Sequence, residues 1–324
     1  MGKPKVIVTR RWPEAVEKKV SELFDAALNT GDTPLTVAEL QDALKTADAV
    51  LCTVTDKMTA EVLGVDGKQA KMLGNFGVGF NNIDIEVAKA EGLVVSNTPE
   101  ILTDCTADIA MTLLLSVARR AGEGERHLRG GQWTGWRPTH MMGTKVTGKK
   151  LGIIGMGRIA QAVAKKAHFG FDMKIAYFDP YLPDPDAVNK AMDAESRGSI
   201  EDVLADSNFV SLHCPATPET RHLMNAERFK AMQASAFLIN TARGDVVDEA
   251  ALVAALKAGD IAGAGLDVYE CEPDVTRELT EMENVVLLPH LGSATLETRE
   301  GMGFRVVTNV EAFFAGKEPP DRVA

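Results

Sequence analysis

The sequence predicts an α/β protein built on parallel sheets, and three observations carry that expectation. Short β-rich runs alternate with amphipathic helical stretches almost from end to end, the pattern of parallel strands covered by helices. The strands fall into two groups separated by a long helical segment, about Thr103 to Leu128, and a chain of 324 residues can bury two cores. At the head of the second group, a glycine-rich turn joins a strand to a helix.

The first group holds "KVIVT" at 5–9, "AVLCTV" at 49–54, "KMLGNF" at 71–76 and "LVVSN" at 93–97. In the separating helix Ile109, Leu113 and Val117, with Ala110 and Leu114, make one apolar face, and Thr103 or Asp104 can cap its start. "RGGQWTGWRP" at 129–138 breaks the periodicity and reads as a long loop of the kind that often carries function. The second group follows: "KLGIIG" at 150–155, "KIAYFD" at 174–179, "NFVSLH" at 208–213, "AFLIN" at 236–240, "GAGLDVY" at 263–269 and "NVVLLP" at 284–289. A last helix runs through Val306, Val310 and Phe313, with Gly316 as its stop.

With 46 acidic against 35 basic residues the chain carries a formal charge of −11, which argues against an extended phosphate backbone such as nucleic acid as partner. The N-terminal "MGKPKVIVTRRW" reads as a first strand and not as a signal peptide. The apolar stretch Ile109 to Ala118 is far short of the ~20 residues a bilayer demands. A cytoplasmic protein without membrane contact is expected. Cys52, Cys105, Cys214 and Cys271 stand far apart with no Cys-x-x-Cys pair, so reduced, mostly buried thiols are expected and no metal site.

"KKLGIIGMGRIAQAVAKKA" places Gly155, Gly157 and Ala160 in G-x-G-x-x-A spacing between a strand and a helix. The first glycine permits the tight turn, the second lets a pyrophosphate approach the backbone, and the small third residue lets helix pack on strand. Unpaired N–H groups at the helix start suit the phosphates. The next strand ends in Asp179, 179 − 157 = 22 residues past the second glycine, near the offset at which an acid grips the adenosine ribose. Its carboxylate repels a ribose 2′-phosphate, and Pro180, Tyr181 and Leu182 supply no cation to welcome one, so NAD is expected over NADP.

Arg243, Glu272 and His290 each follow one of the later strands, where open α/β sheets place their ligand crevice. Together they suit reduction of a carbonyl beside a carboxylate. A guanidinium fork can polarise the carbonyl and hold the carboxylate. An imidazole titrating near neutrality can protonate the nascent alkoxide, and an acid can orient that imidazole.

"LGIIGMGRIAQAVA", "NTARGDVVDEAALVAALKAG", "AGLDVYECEP" and "LPHLGSAT" resemble the successive signature segments of the D-isomer-specific 2-hydroxyacid dehydrogenase family. The likeness extends through "NFGVGFNNIDIEVAKAEGLVVSNTP" and "LTDCTADIAMTLLLSVARRAGEGE", and so covers nearly the whole chain. "RRAGEGE" and "WTGWRP" look most like the glycerate dehydrogenase (hydroxypyruvate reductase) and glyoxylate reductase branch.

The resemblance implies two Rossmann-like, doubly wound domains: a discontinuous substrate domain at 1–101 and 292–324, and an NAD-binding domain at 102–291. It implies Arg243, Glu272 and His290 as catalytic residues, and the backbone of Val78 and Gly79, with Arg243, as substrate contacts. The cofactor set it implies comprises Thr106, Gly155, Gly157, Arg158, Ile159, Asp179, Cys214, Pro215, Thr220, Ala242 and Asp267. A homodimer is implied too, with Trp136 placed like a loop tryptophan that in this branch can reach a neighbouring subunit. Tyr269 replaces the more usual Phe, and Glu272 stands where formate dehydrogenases carry an amide, which argues against formate. Other branches of the family, of phosphoglycerate or D-lactate type, stay open, as does a non-enzymatic NAD sensor on the same fold.

Overall fold

Twelve strands, each parallel to its neighbours, form two separate sheets in the computed structural model, which describes residues 2–324. The chain divides into two units, residues 2–102 with Ala294–Ala324, and Thr103–Ser293.

The first unit holds β1 (Lys5–Val8), β2 (Asp25–Leu28), β3 (Ala49–Thr53), β4 (Met72–Phe76) and β5 (Val94–Ser96), in the order β2-β1-β3-β4-β5. β3 and β4 are interior strands and almost wholly buried, which explains the apolar run of β3, whereas β4 carries Gly74 and the buried polar Asn75 between its apolar residues. The helix Leu296–Phe314 returns to this unit and buries Val306 and Val310. The tail then pairs with β5: Val323 donates to Val95 O at 2.8 Å and Val95 N to Ala324 O at 3.0 Å.

The second unit holds β6 (Lys150–Ile154), β7 (Lys174–Phe178), β8 (Ala194–Ser196), β9 (Phe209–Leu212), β10 (Phe237–Asn240), β11 (Gly263–Leu266) and β12 (Val285–Leu287), in the order β12-β11-β10-β9-β6-β7-β8. Alternate residues serve opposite faces. Leu151, Ile153, Phe209 and Ile239 join one apolar cluster with the helices Thr103–Ala118 and Arg158–Phe171. Ile154, Val210, Leu212 and Leu238 join the other, with Val203, Phe229 and Leu252. Each fully buried Leu, Ile or Phe contributes about 1.5–3 kcal/mol.

Three sequence expectations need correction. The long helix from Thr103 to Leu128 is two helices, Thr103–Ala118 and Ala121–Arg129, broken where Arg120 adopts a left-handed backbone (φ 53°). Two short edge strands, β2 and β8, went unanticipated: "DAAL" and "AES" contain no β-branched residue. The thiols are not mostly buried; only Cys52 is, Cys105 and Cys214 are partly exposed, and Cys271 is exposed in the loop after β11. No described helix is long and apolar enough to cross a membrane.

Candidate active site

The glycine-rich turn lies where the second sheet's winding reverses, between β6 and β9, the position at which open α/β sheets hold their ligands. Gly155, directly after β6, adopts φ +84°, a conformation side-chain-bearing residues avoid. A Cβ there would lie 2.9 Å from Cys214 N and 3.0 Å from His213 C, so the turn meets the segment after β9 backbone to backbone. Gly157 starts the helix Arg158–Phe171 with no side-chain cap and open space where a Cβ would stand. Its first-turn N–H groups therefore face an approachable surface. Ala160 is fully buried, which brings the helix close to the core.

Asp179 Oδ2 accepts from Met156 N at 2.8 Å and Oδ1 from Tyr181 N at 2.9 Å, so the acid expected at the ribose is held against the same turn. Thr220 Oγ1 donates to Pro215 O at 2.5 Å and closes the loop after β9. Burial pushes the neighbouring Cys214 thiol up to about 11, so it stays protonated at neutral pH. Arg158 opens the helix, and Ile159 packs against the core cluster. An open, uncapped helix start beside a carboxylate fits an NAD pyrophosphate and ribose.

Three residues past β10, Arg243 is set by Asn240, whose Nδ2 donates to Arg243 O at 2.9 Å and whose Oδ1 accepts from Ala242 N at 3.0 Å. Burial lowers the guanidinium below its ordinary value and the charge of Glu272 opposes this; the group stays a cation. Asp248 then caps the helix Glu249–Ala258 by accepting from Ala251 N at 2.9 Å, an interaction of about 1 kcal/mol.

His290 Nδ1 lies 2.8 Å from Glu272 Oε2, and Glu272 Oε1 accepts from Tyr269 N at 3.0 Å. About a third of each side chain is exposed (34% and 35%), so the pair is fixed yet reachable. Burial opposes ionisation of Glu272, but the hydrogen bond and charge of His290, the Tyr269 N–H and Arg243 outweigh it and hold the carboxyl below its ordinary value. Buried Asp267 organises the segment behind the imidazole. Its carboxylate accepts from Leu291 N at 2.7 Å and Gly292 N at 2.8 Å, its carbonyl accepts from His290 N, and Thr106 Oγ1 donates to Gly292 O at 2.9 Å. Burial pushes Asp267 up despite those two N–H groups.

The structure thus brings Arg243, Glu272, His290, Asp267 and Thr106 into linked positions, with Ala242 beside Arg243. Val78 and Gly79 lie in the first unit, on the loop after β4. Sequence reading missed Gly244, where a Cβ would fall 1.9 Å from Tyr269 C, so the Arg243 loop touches the loop leading to Glu272 with no room for a side chain. The glycine directly after the arginine was the available signal.

Residues 111–292 match the model of the D-isomer specific 2-hydroxyacid dehydrogenase NAD binding domain. The chain belongs to this family. It is 44% identical to a glyoxylate reductase of Pyrococcus horikoshii, over 99% of this chain and 96% of that one. It is 39% identical to a glycerate dehydrogenase of Hyphomicrobium methylovorum, over 98% of each. A crystal structure of a Thermus thermophilus protein superposes with a TM-score of 0.89 at 40% identity, covering 99% of this chain and all (100%) of that one. The structure of an NADPH-dependent glyoxylate/hydroxypyruvate reductase from Sinorhizobium meliloti, in complex with NADP and malonate, gives 0.88 at 31% identity, covering 100% of this chain and 97% of that one. As a member of the family the chain is an oxidoreductase with an NAD-binding domain.

Proposed function

We propose that this enzyme reduces a small 2-keto acid, glyoxylate or hydroxypyruvate, to the D-2-hydroxy acid with NADH. The observation that carries the reading is the His290–Glu272 pair at 2.8 Å beside the Arg243 cation. With Nδ1 engaged by the carboxylate, His290 Nε2 is left to carry the transferable proton. Glu272 fixes the ring orientation through its contact with Nδ1. Arg243 binds the substrate carboxylate and draws electron density from its carbonyl. Backbone N–H groups at Val78 and Gly79 hold the carboxylate as well. When bound, the nicotinamide supplies the hydride.

Thr106, Gly155, Gly157, Arg158, Ile159, Asp179, Cys214, Pro215, Thr220, Ala242 and Asp267 make the cofactor site in this reading. NADH is preferred because Asp179 sets a negative charge against the turn that a 2′-phosphate would have to approach. The NADPH dependence of the Sinorhizobium meliloti protein makes the comparison necessary. The discontinuous first unit serves as the substrate domain and the second as the NAD domain. The enzyme works in the cytoplasm as a homodimer, a reading supported by the stretch from Leu128 to Met142, which exposes Leu128, Trp133, Trp136 and Met142, Trp136 at 82%, and so offers apolar side chains to a second copy.

Loss of reduced-cofactor absorbance is followed with glyoxylate, hydroxypyruvate, pyruvate and 3-phosphohydroxypyruvate, using NADH and NADPH in parallel. Fast NADH oxidation with the first two is expected. Equal kcat/KM with NADPH removes the role given to Asp179, and turnover only with the phosphorylated acid moves the enzyme to another branch.

A further inference from the structure

The loop after β4 runs Gly77, Val78, Gly79, Phe80, and its carbonyls are held by side-chain amides. Asn75 Nδ2 donates to Gly77 O at 3.2 Å and to Gly79 O at 2.9 Å. Asn97 Nδ2, on the segment after β5, donates to Val78 O at 2.8 Å. Three successive carbonyls are thereby drawn toward two buried side chains, Asn75 with none (0%) of its surface exposed and Asn97 with 8%. Thr98 N adds a further bond to Gly77 O at 3.1 Å.

In a trans peptide the N–H points opposite to the C=O it shares a plane with. Turning the carbonyls of residues 77, 78 and 79 inward turns the N–H groups of Val78, Gly79 and Phe80 outward. None of those three donates a hydrogen bond among the described residues, while Val78 and Gly79 are half-buried and Phe80 is exposed. Successive outward N–H groups of this kind form an anion-binding concavity. A loop free to rotate its peptides would have to be ordered by the ligand, and that ordering would weaken binding.

We propose that Asn75 and Asn97 are positioning residues that preset the peptide orientations of the carboxylate-holding loop at Val78 and Gly79 and bring the Phe80 N–H into the same anion nest. The inference rests on the 2-keto acid reading and adds to it the Phe80 N–H and the two amides that aim the nest. Asn75 has further ties that hold it in place. Cys52 Sγ lies 3.9 Å from its Oδ1, and Asn82, which anchors the same region through Thr53 O at 3.0 Å, also reaches Oδ1. Asn97 is the cleaner probe, because its side-chain amide is spent on Val78 O alone.

The test uses the full-length enzyme and two variants, Asn97→Ala and the isosteric Asn75→Asp, which keeps the shape but cannot donate to the carbonyls. KM for glyoxylate and Ki for oxalate, a non-reducible carboxylate probe, are measured beside the NADH Kd by fluorescence and the thermal midpoint. The expected result is a rise of roughly ten- to hundredfold in KM and Ki, the worth of a charge-assisted hydrogen bond, with NADH Kd unchanged. A folded Asn97→Ala enzyme whose KM and Ki match wild type overturns the proposal, even if Asn75→Asp fails to fold. A fall in kcat alone, with KM and Ki unmoved, also overturns it. Wild-type enzyme that turns over no 2-keto acid sinks the functional reading instead, and that outcome is separable because it needs no variant.

Discussion

His290 adopts a left-handed backbone, φ +54°, fixed by its N–H on Asp267 O. Asn tolerates that conformation better than most residues. His290→Asn therefore removes the imidazole with the least backbone cost, and kcat should fall about 10²–10⁴-fold while NADH Kd, read by fluorescence, holds. Glu272 makes a pH prediction. Its folded carboxyl loses its proton at lower pH than the unfolded one, so its charge stabilises the native state above the unfolded value and that contribution fades as pH falls through the folded one. Activity lost by protonating Glu272 should thus appear only below the ordinary glutamate range of ~4.3. A kcat profile with an acid limb from this group near pH 6 would contradict the depressed carboxyl.

Between elements, the close approach at Gly244 couples the loop after β10 to the loop after β11. Gly244→Ala should force the Arg243 and Glu272 loops apart, lowering kcat about tenfold or more and raising the keto-acid KM, with NADH binding retained. Steady-state kinetics on folded variant enzyme decide it, and unchanged kcat and KM would show that the loops move apart freely. Much at this scale was legible in the sequence. The G-x-G-x-x-A spacing and the offset to Asp179 located the switch-point turn, because each of those residues answers a local steric or charge demand. Arg243, Glu272 and His290 were legible as polar, chemistry-bearing groups just past apolar runs. β2 and β8 were not, since edge strands need no continuous apolar run. Nor was the break at Arg120, which occurs at a residue with no turn signature. Asn75 and Asn97 escaped because their effect depends on which carbonyls they meet, and spacing along the chain carries no trace of that.

For the molecule as a whole, the proposed dimer predicts a solution mass near twice 34.8 kDa by light scattering, and Trp136→Glu with Trp133→Glu should shift that mass toward one chain. A wild-type monomer would leave the apolar stretch at 128–142 without its proposed partner. The pairing of the tail with β5 has a different consequence. β5 stands at the margin of its sheet, and the strip of backbone made by Arg322, Val323 and Ala324 occupies groups that an unpaired margin would offer to any other chain. Those few residues cover the free margin of β5. Removing residues 322–324 would turn a sealed seam into an adhesive one, and light scattering of concentrated protein should then show association that the intact seam prevents.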